Sequence, residues 1–109
     1  MRFDFPHMPE TANQNFKGGE GVTYTRMFND ELNRIVMCRL PKGSSIGLHT
    51  HETNSEIIYV IAGQAKIILD GTEEIYEPGQ GHYCPKGHAH TTISIGDDDL
   101  VMLGIIPEQ

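Results

Sequence analysis

The stretch GSSIGLHTHETNSEIIYVIAG, residues 43–63, decides the fold. Its second half, Glu56 to Ala62, is rich in β-branched residues and stops at Gly63, the pattern of a short strand closed by a turn. Its first half, Ile46 to His51, is extended as well, but its alternate residues are not simply apolar, so polar groups occupy one face. His49 and His51 flank Thr50. Residues two apart on a strand share a face about 7 Å apart along the chain, so the two imidazoles can turn toward a single ion. Glu56 follows after Glu52-Thr53-Asn54-Ser55, a loop short enough for its carboxylate to return to the same place from the neighbouring strand.

Working outward, Val22 to Phe28 and Asn33 to Leu40 read as strands separated by the turn signal Asn29-Asp30-Glu31. The second belongs in a core, since Ile35-Val36-Met37-Cys38 is apolar on both faces. Ala65 to Leu69, Asp70-Gly71 and Thr72 to Tyr76 form a hairpin signal, because Asp-Gly supplies the positive φ that a tight turn needs. Pro78-Gly79 turns the chain into Gln80 to Cys84. Pro85-Lys86-Gly87 turns it again into His90 to Ile95, and Asp97-Asp98-Asp99, a solvated turn, precedes Leu100 to Ile106. Short strands broken by Gly and Pro, with no helical period competing, predict an all-β sandwich or barrel. Met1 to Gly21, with Pro6, Pro9 and Gly18-Gly19-Glu20-Gly21, shows no sustained period and is expected to be an irregular arm (residues 1–21) ahead of one barrel domain (residues 22–109).

Composition narrows the function classes. A chain of 109 residues builds one hydrophobic core. Eight Lys and Arg against fifteen Asp and Glu give a net charge of −7 with no basic cluster, which argues against a nucleic-acid partner. Apolar runs such as Ile57 to Ala62 are far below the roughly 20 residues of a membrane span, and no charged-then-apolar leader pattern opens the sequence; a cytoplasmic protein with no membrane partner is expected. Cys38 and Cys84 are expected to be small buried hydrophobes rather than a bridge, and Met27, Met37 and Met102 to line the barrel.

A fourth ligand for His49, His51 and Glu56 has to come from elsewhere, and His90 is the leading candidate, with His88 sharing its parity. Imidazole suits Fe, Mn, Ni or Zn, and one carboxylate offsets part of the dication's charge, whereas calcium and magnesium prefer oxygens. Two motifs then stand out. Gly43, His49-Thr50-His51, Glu56 and Gly63 are spaced by five, four and six residues. Gly79, Pro85-Lys86-Gly87 and His90 are spaced by five and two, followed after three more by Ser94. These resemble the two signature motifs of the cupin superfamily, and the fifteen residues between them are similar to the spacing in small single-domain bacterial cupins. The resemblance covers Gly43 to Ser94 and departs from the pattern at Ser94, where the family has Asn, which puts the local turn in question. It implies a double-stranded β-helix barrel, with His49, His51, Glu56 and His90 as ligands to one divalent transition metal. It also implies a homodimer, since the outward residues Ile57, Tyr59 and Ile61 need covering and the N-terminal arm can reach across such an interface.

No Gly-rich phosphate loop and no nucleophile with a placed base is present, so the chemistry leans on the metal. Four ligands on a six-coordinate ion leave two adjacent positions for a small chelating molecule, or for such a molecule and dioxygen. The expected function is a metal-dependent enzyme of dioxygenase, isomerase or decarboxylase type, and the alternative is a non-enzymatic module binding a sugar or organic acid. A catalytic acid or base separates the two readings, and only His82, His88 and tyrosines such as Tyr59 are available to supply one. His82 keeps two readings: an exposed or simply hydrogen-bonded side chain, or, if Cys84 faces inward, a base behind the metal.

Overall fold

Runs of alternating residues bounded by Gly, Pro or Asp become strands throughout the chain. The computed structural model describes residues 1–109. Its strands are β1 (Thr11–Gln14), β2 (Val22–Asn29), β3 (Asn33–Leu40), β4 (Ser45–Thr50), β5 (Glu56–Ala62), β6 (Ala65–Leu69), β7 (Thr72–Tyr76), β8 (Gly81–Cys84), β9 (Ala89–Ser94) and β10 (Leu100–Pro107). No α-helix forms, and no helix is long and apolar enough to cross a membrane. All pairings are antiparallel, in one sheet ordered β1-β2-β3-β10-β5-β8 and a second ordered β4-β9-β6-β7. This is the all-β, double-stranded β-helix barrel that the two motifs imply.

The sheets meet over a core drawn from both. Val36, Leu40, Ile58, Val60, Leu100 and Met102 come from the first sheet, and Ile46, Ala65, Ile67 and Tyr76 from the second. Leu100 is fully buried, so truncating it to alanine removes about 2–5 kcal/mol, the cost of lost apolar transfer plus the cavity left behind. Of the three methionines expected to line the barrel, only Met102 does so fully. Met37 sits across from Arg26 and Leu103 on the outer face, because it has the opposite parity to the buried Val36 and Cys38. The β6–β7 hairpin turns at Asp70-Gly71 with both φ values positive, 48° and 85°, as the primed turn requires.

The N-terminal arm is irregular only in part. Thr11–Gln14 pairs with β2 from Thr11↔Thr25 to Gln14↔Val22, adding an edge strand. Nothing in Thr-Ala-Asn-Gln shows an apolar period. The strand is held by its ladder, by the Asn13 amide donating to the Thr23 carbonyl and the Thr25 hydroxyl, and by the Glu10–Arg39 ion pair just before it. Further on, Phe16 packs against the core, and the segment Lys17 to Gly19 lies directly on β4. A Cβ on Gly47 would come within 2.2 Å of the Lys17 carbonyl oxygen, and one on Gly19 within 2.1 Å of the Ser45 carbonyl oxygen. Only glycine at both positions permits this approach.

Candidate metal centre

A bulge in β4 aims the first two imidazoles. Ile46 pairs with Thr92 and His49 with His90, so three steps on β4 oppose two on β9. The extra residue lets Ile46 and His49 both face inward despite their odd spacing. His51 follows at the strand's end and Glu56 opens β5. His90 lies across from His49 on β9, in a strand whose inward residues are His90, Thr92 and Ser94. The nitrogen and carboxylate atoms of His49, His51, Glu56 and His90 all lie within 4.8 Å of one another.

The contacts are those of a shared lone-pair focus. His90 Nε2 is 3.0 Å from His51 Nε2, 3.1 Å from His49 Nε2 and 2.8 Å from Glu56 Oε1, and His51 Nε2 is 3.1 Å from the same oxygen. Donor atoms on adjacent corners of a six-coordinate ion with bonds of about 2.1 Å lie about 3.0 Å apart, against about 3.4 Å around a tetrahedral one. Room for the carboxylate comes from Gly104 on β10, where a Cβ would stand 3.1 Å from Glu56 Oε2. Burial pushes the Glu56 carboxyl up, but its hydrogen bonds to His49, His51 and His90 outweigh this and hold it well below the usual carboxylate range. Glu56 in turn raises His51 against the effect of burial, with Asn54 adding to it.

Each imidazole is also held from behind. His49 Nδ1 donates to the Gly47 carbonyl at 2.7 Å, and His51 Nδ1 donates to Asn54 Oδ1 at 2.5 Å. The Asn54 amide is oriented by its nitrogen, which donates to Glu108 Oε1. Both partners of Nδ1 are acceptors, so Nδ1 carries the proton and Nε2 keeps its lone pair for the focus. Three imidazole lone pairs and a carboxylate turned to one point suit a divalent transition metal. His49, His51 and Glu56 open onto a cavity of about 460 Å³, whose wall includes Met27, Ile58 and Ile106 and the charged Lys17, Arg34 and Glu52.

The remaining candidates lie elsewhere. His88 is turned outward and its Nδ1 meets Asp70 Oδ2, since the bend after Pro85-Lys86-Gly87 places it before β9 begins. Tyr59 is half exposed on the outer face of β5, because it alternates with the buried Ile58 and Val60. Cys84 does face inward, and His82 with it: His82 is 5% exposed, its Nε2 is 3.0 Å from His90 Nδ1, and its Nδ1 is 2.9 Å from the Tyr76 hydroxyl. Burial, reinforced by the neighbouring His90, pushes His82 down to about 4. Cys38 and Cys84 are both free and buried, and burial with Glu56 nearby raises their thiols to about 12 and about 11. Ser94 ends β9 as a regular strand residue, paired with Ala65, and its backbone bonds Gly43 and Ser44. Three features have no signal in local sequence: Gly104, Asn54 as a partner of His51, and the two cations in the cavity wall.

Comparison with known proteins gives concordant results. The family model described as a cupin domain matches residues 36–106. An oxalate-binding protein of Thermotoga maritima is 28% identical over 98 residues, spanning 84% of this chain and 81% of that protein. The pectin degradation protein KdgF of Dickeya dadantii is 23% identical over 82 residues, 75% and 74% of the two chains. Among solved structures, a predicted oxalate decarboxylase from Thermotoga maritima superposes with a TM-score of 0.94 at 25% identity over the whole of both chains. KdgF from Halomonas sp. shares the fold, with a TM-score of 0.82 at 18% identity over 100% of this chain and 96% of that one.

Proposed function

The chain belongs to the cupin family, and on that premise we propose that it holds one divalent transition metal (Fe, Mn, Ni or Zn) on His49, His51, Glu56 and His90 and captures a small chelating organic acid beside it. The observation that carries this reading is the convergence of three Nε2 atoms and one carboxylate oxygen against a cavity with Lys17 and Arg34 in its wall. A bound divalent ion supplies a Lewis acid for an oxygen donor there. The chain supplies the rest. Glu56 offsets part of the ion's charge, and Lys17 and Arg34 balance an anionic ligand. Met27, Ile58 and Ile106 give the wall its apolar portion. The similarity to an oxalate-binding protein supports the ligand class.

A second reading adds turnover, of decarboxylase, isomerase or dioxygenase type. Glu52 favours it, being a carboxylate in the wall of the same cavity and so within reach of a captured acid as a proton carrier.

Metal analysis by plasma mass spectrometry on untagged protein purified without chelators tests the first reading, followed by calorimetric titration with oxalate. Close to one equivalent of metal is expected, with oxalate heat only in the loaded protein. His49→Ala and His51→Ala should lose the metal while keeping a β circular-dichroism spectrum. Unchanged metal content in both variants would remove the ligand assignment, and a protein that takes up no metal on reconstitution would end the reading. Formate released from oxalate would add turnover, whereas oxalate recovered intact would leave a binding protein.

A further inference from the structure

Three imidazoles present Nε2 to the focus, and each must therefore donate a hydrogen bond from Nδ1–H to an acceptor. For His49 the acceptor is a main-chain carbonyl and for His51 an amide oxygen, both incapable of donating through that atom. For His90 it is another imidazole, His82, whose ring nitrogens can each be donor or acceptor. That makes it the one support of the three whose polarity needs setting. The rings of His82 and His90 lie 19° from parallel with centroids 5.2 Å apart, meeting nitrogen to nitrogen at 3.0 Å. On the far side of His82, the Tyr76 hydroxyl stands 2.9 Å from Nδ1.

We propose that His82, backed by Tyr76, is the positioning residue of the metal centre: its Nε2 accepts a hydrogen bond from His90 Nδ1 and so holds His90 Nε2 toward His49, His51 and Glu56. The proposal rests on the reading of His90 as a ligand and deepens it. The proton order follows from chemistry. A ligating His90 has its lone pair on Nε2 and its hydrogen on Nδ1, so His82 Nε2 must be bare. The hydrogen of His82 is then on Nδ1, where the Tyr76 oxygen accepts it. Neither residue lines the cavity. A buried chain of three polar side chains, Tyr76, His82 and His90, is costly to retain unless every member is paired, and each is.

Cobalt(II) is a suitable probe, because its visible bands report ligand orientation and a chelator competition gives its affinity. His82→Leu removes the acceptor and should weaken affinity by about 10- to 100-fold and shift the bands. His82→Gln, whose side-chain oxygen can accept in place of Nε2, should recover most of the loss. Tyr76→Phe, which removes the partner of His82 Nδ1 and loosens the ring, should move the bands with a smaller loss of affinity. If His82→Leu and His82→Gln are equally weak, the acceptor role is refuted and a packing role replaces it. If both match the wild type in affinity and spectrum, the proposal fails outright. Should His82→Leu not fold, Tyr76→Phe decides: unchanged bands and affinity overturn the proposal. Wild-type protein that binds no cobalt would instead sink the ligand reading beneath it, a result distinguishable from all of these.

Discussion

In the proposed centre a metal and protons would compete for the same lone pairs on His49, His51 and His90, and this dictates how binding responds to acid. A ligating imidazole must be deprotonated, and Glu56 raises His51, so protons would displace a bound metal increasingly as pH falls into the imidazole range. Glu56, held well below the usual carboxylate range, stays charged through this window and is not the limiting group. Affinity measured by chelator competition is expected to be highest at pH 8 and to fall steeply by pH 5; a flat profile would count against histidine ligation. At this scale His49 and His51 were legible because a His-x-His pair on a strand has its parity written in the spacing, and Glu56 because a short loop returns it, whereas His90 rather than His88 was marked by the resemblance to the cupin motif. His82 was not, because β8 is four residues long and its facing is settled only by the antiparallel pairing that sets Ile58 across from His82 and Glu56 across from Cys84.

Between residue and barrel, the element that carries His49 is fixed by an apposition. β4 and the segment after Phe16 touch backbone to backbone through Gly19 and Gly47. Gly47→Ala forces a Cβ into the Lys17 carbonyl, and the main chain must move to admit it. A loss of about 1–3 kcal/mol in urea unfolding is expected, with weaker metal binding as His49 shifts. Wild-type stability in this variant would show the contact to be slack. β1 is attached differently, through the Arg39 guanidinium between Glu10 and Asp99. The hydrogen bond from Arg39 lowers the Glu10 carboxyl below its ordinary 4.5, against a small opposing effect of burial. A lowered carboxyl contributes stability that is complete above the unfolded value and is lost as pH falls through the folded one. Glu10→Gln should therefore cost no more than about 1 kcal/mol at pH 7, and the two proteins should converge by pH 3. A difference that persists undiminished at pH 3 would assign the loss to packing. The strand itself was illegible in sequence, since an exposed edge strand needs no apolar period.

On the whole molecule, the outer face of the larger sheet carries Ile57, Tyr59, Ile61 and Tyr83, all about half exposed, in register with Leu103 and Ile105 on the neighbouring strand. At its far end Phe3 and Phe5 fold onto the sheet, with Phe3 packed at a tilt against Phe28, so the N-terminal residues cover part of this chain's own surface. A second copy placed face to face would cover the remainder. Sedimentation at micromolar concentration should give a dimer mass, and Tyr59→Glu should shift it to monomer; a wild-type monomer would sink the dimer.

The sequence alone determined the strands β2 to β10, the Asp70-Gly71 turn, the barrel class and the four residues that meet at one point, because side-chain alternation, turn geometry and motif spacing are local properties. Tertiary structure decided where the arm lies, that His82 rather than solvent backs His90, that Gly104 leaves space for Glu56, and that Lys17 and Arg34 enter one cavity wall. Each of these depends on residues far apart in the chain brought together by sheet pairing and backbone approach, and no period along the chain encodes such meetings.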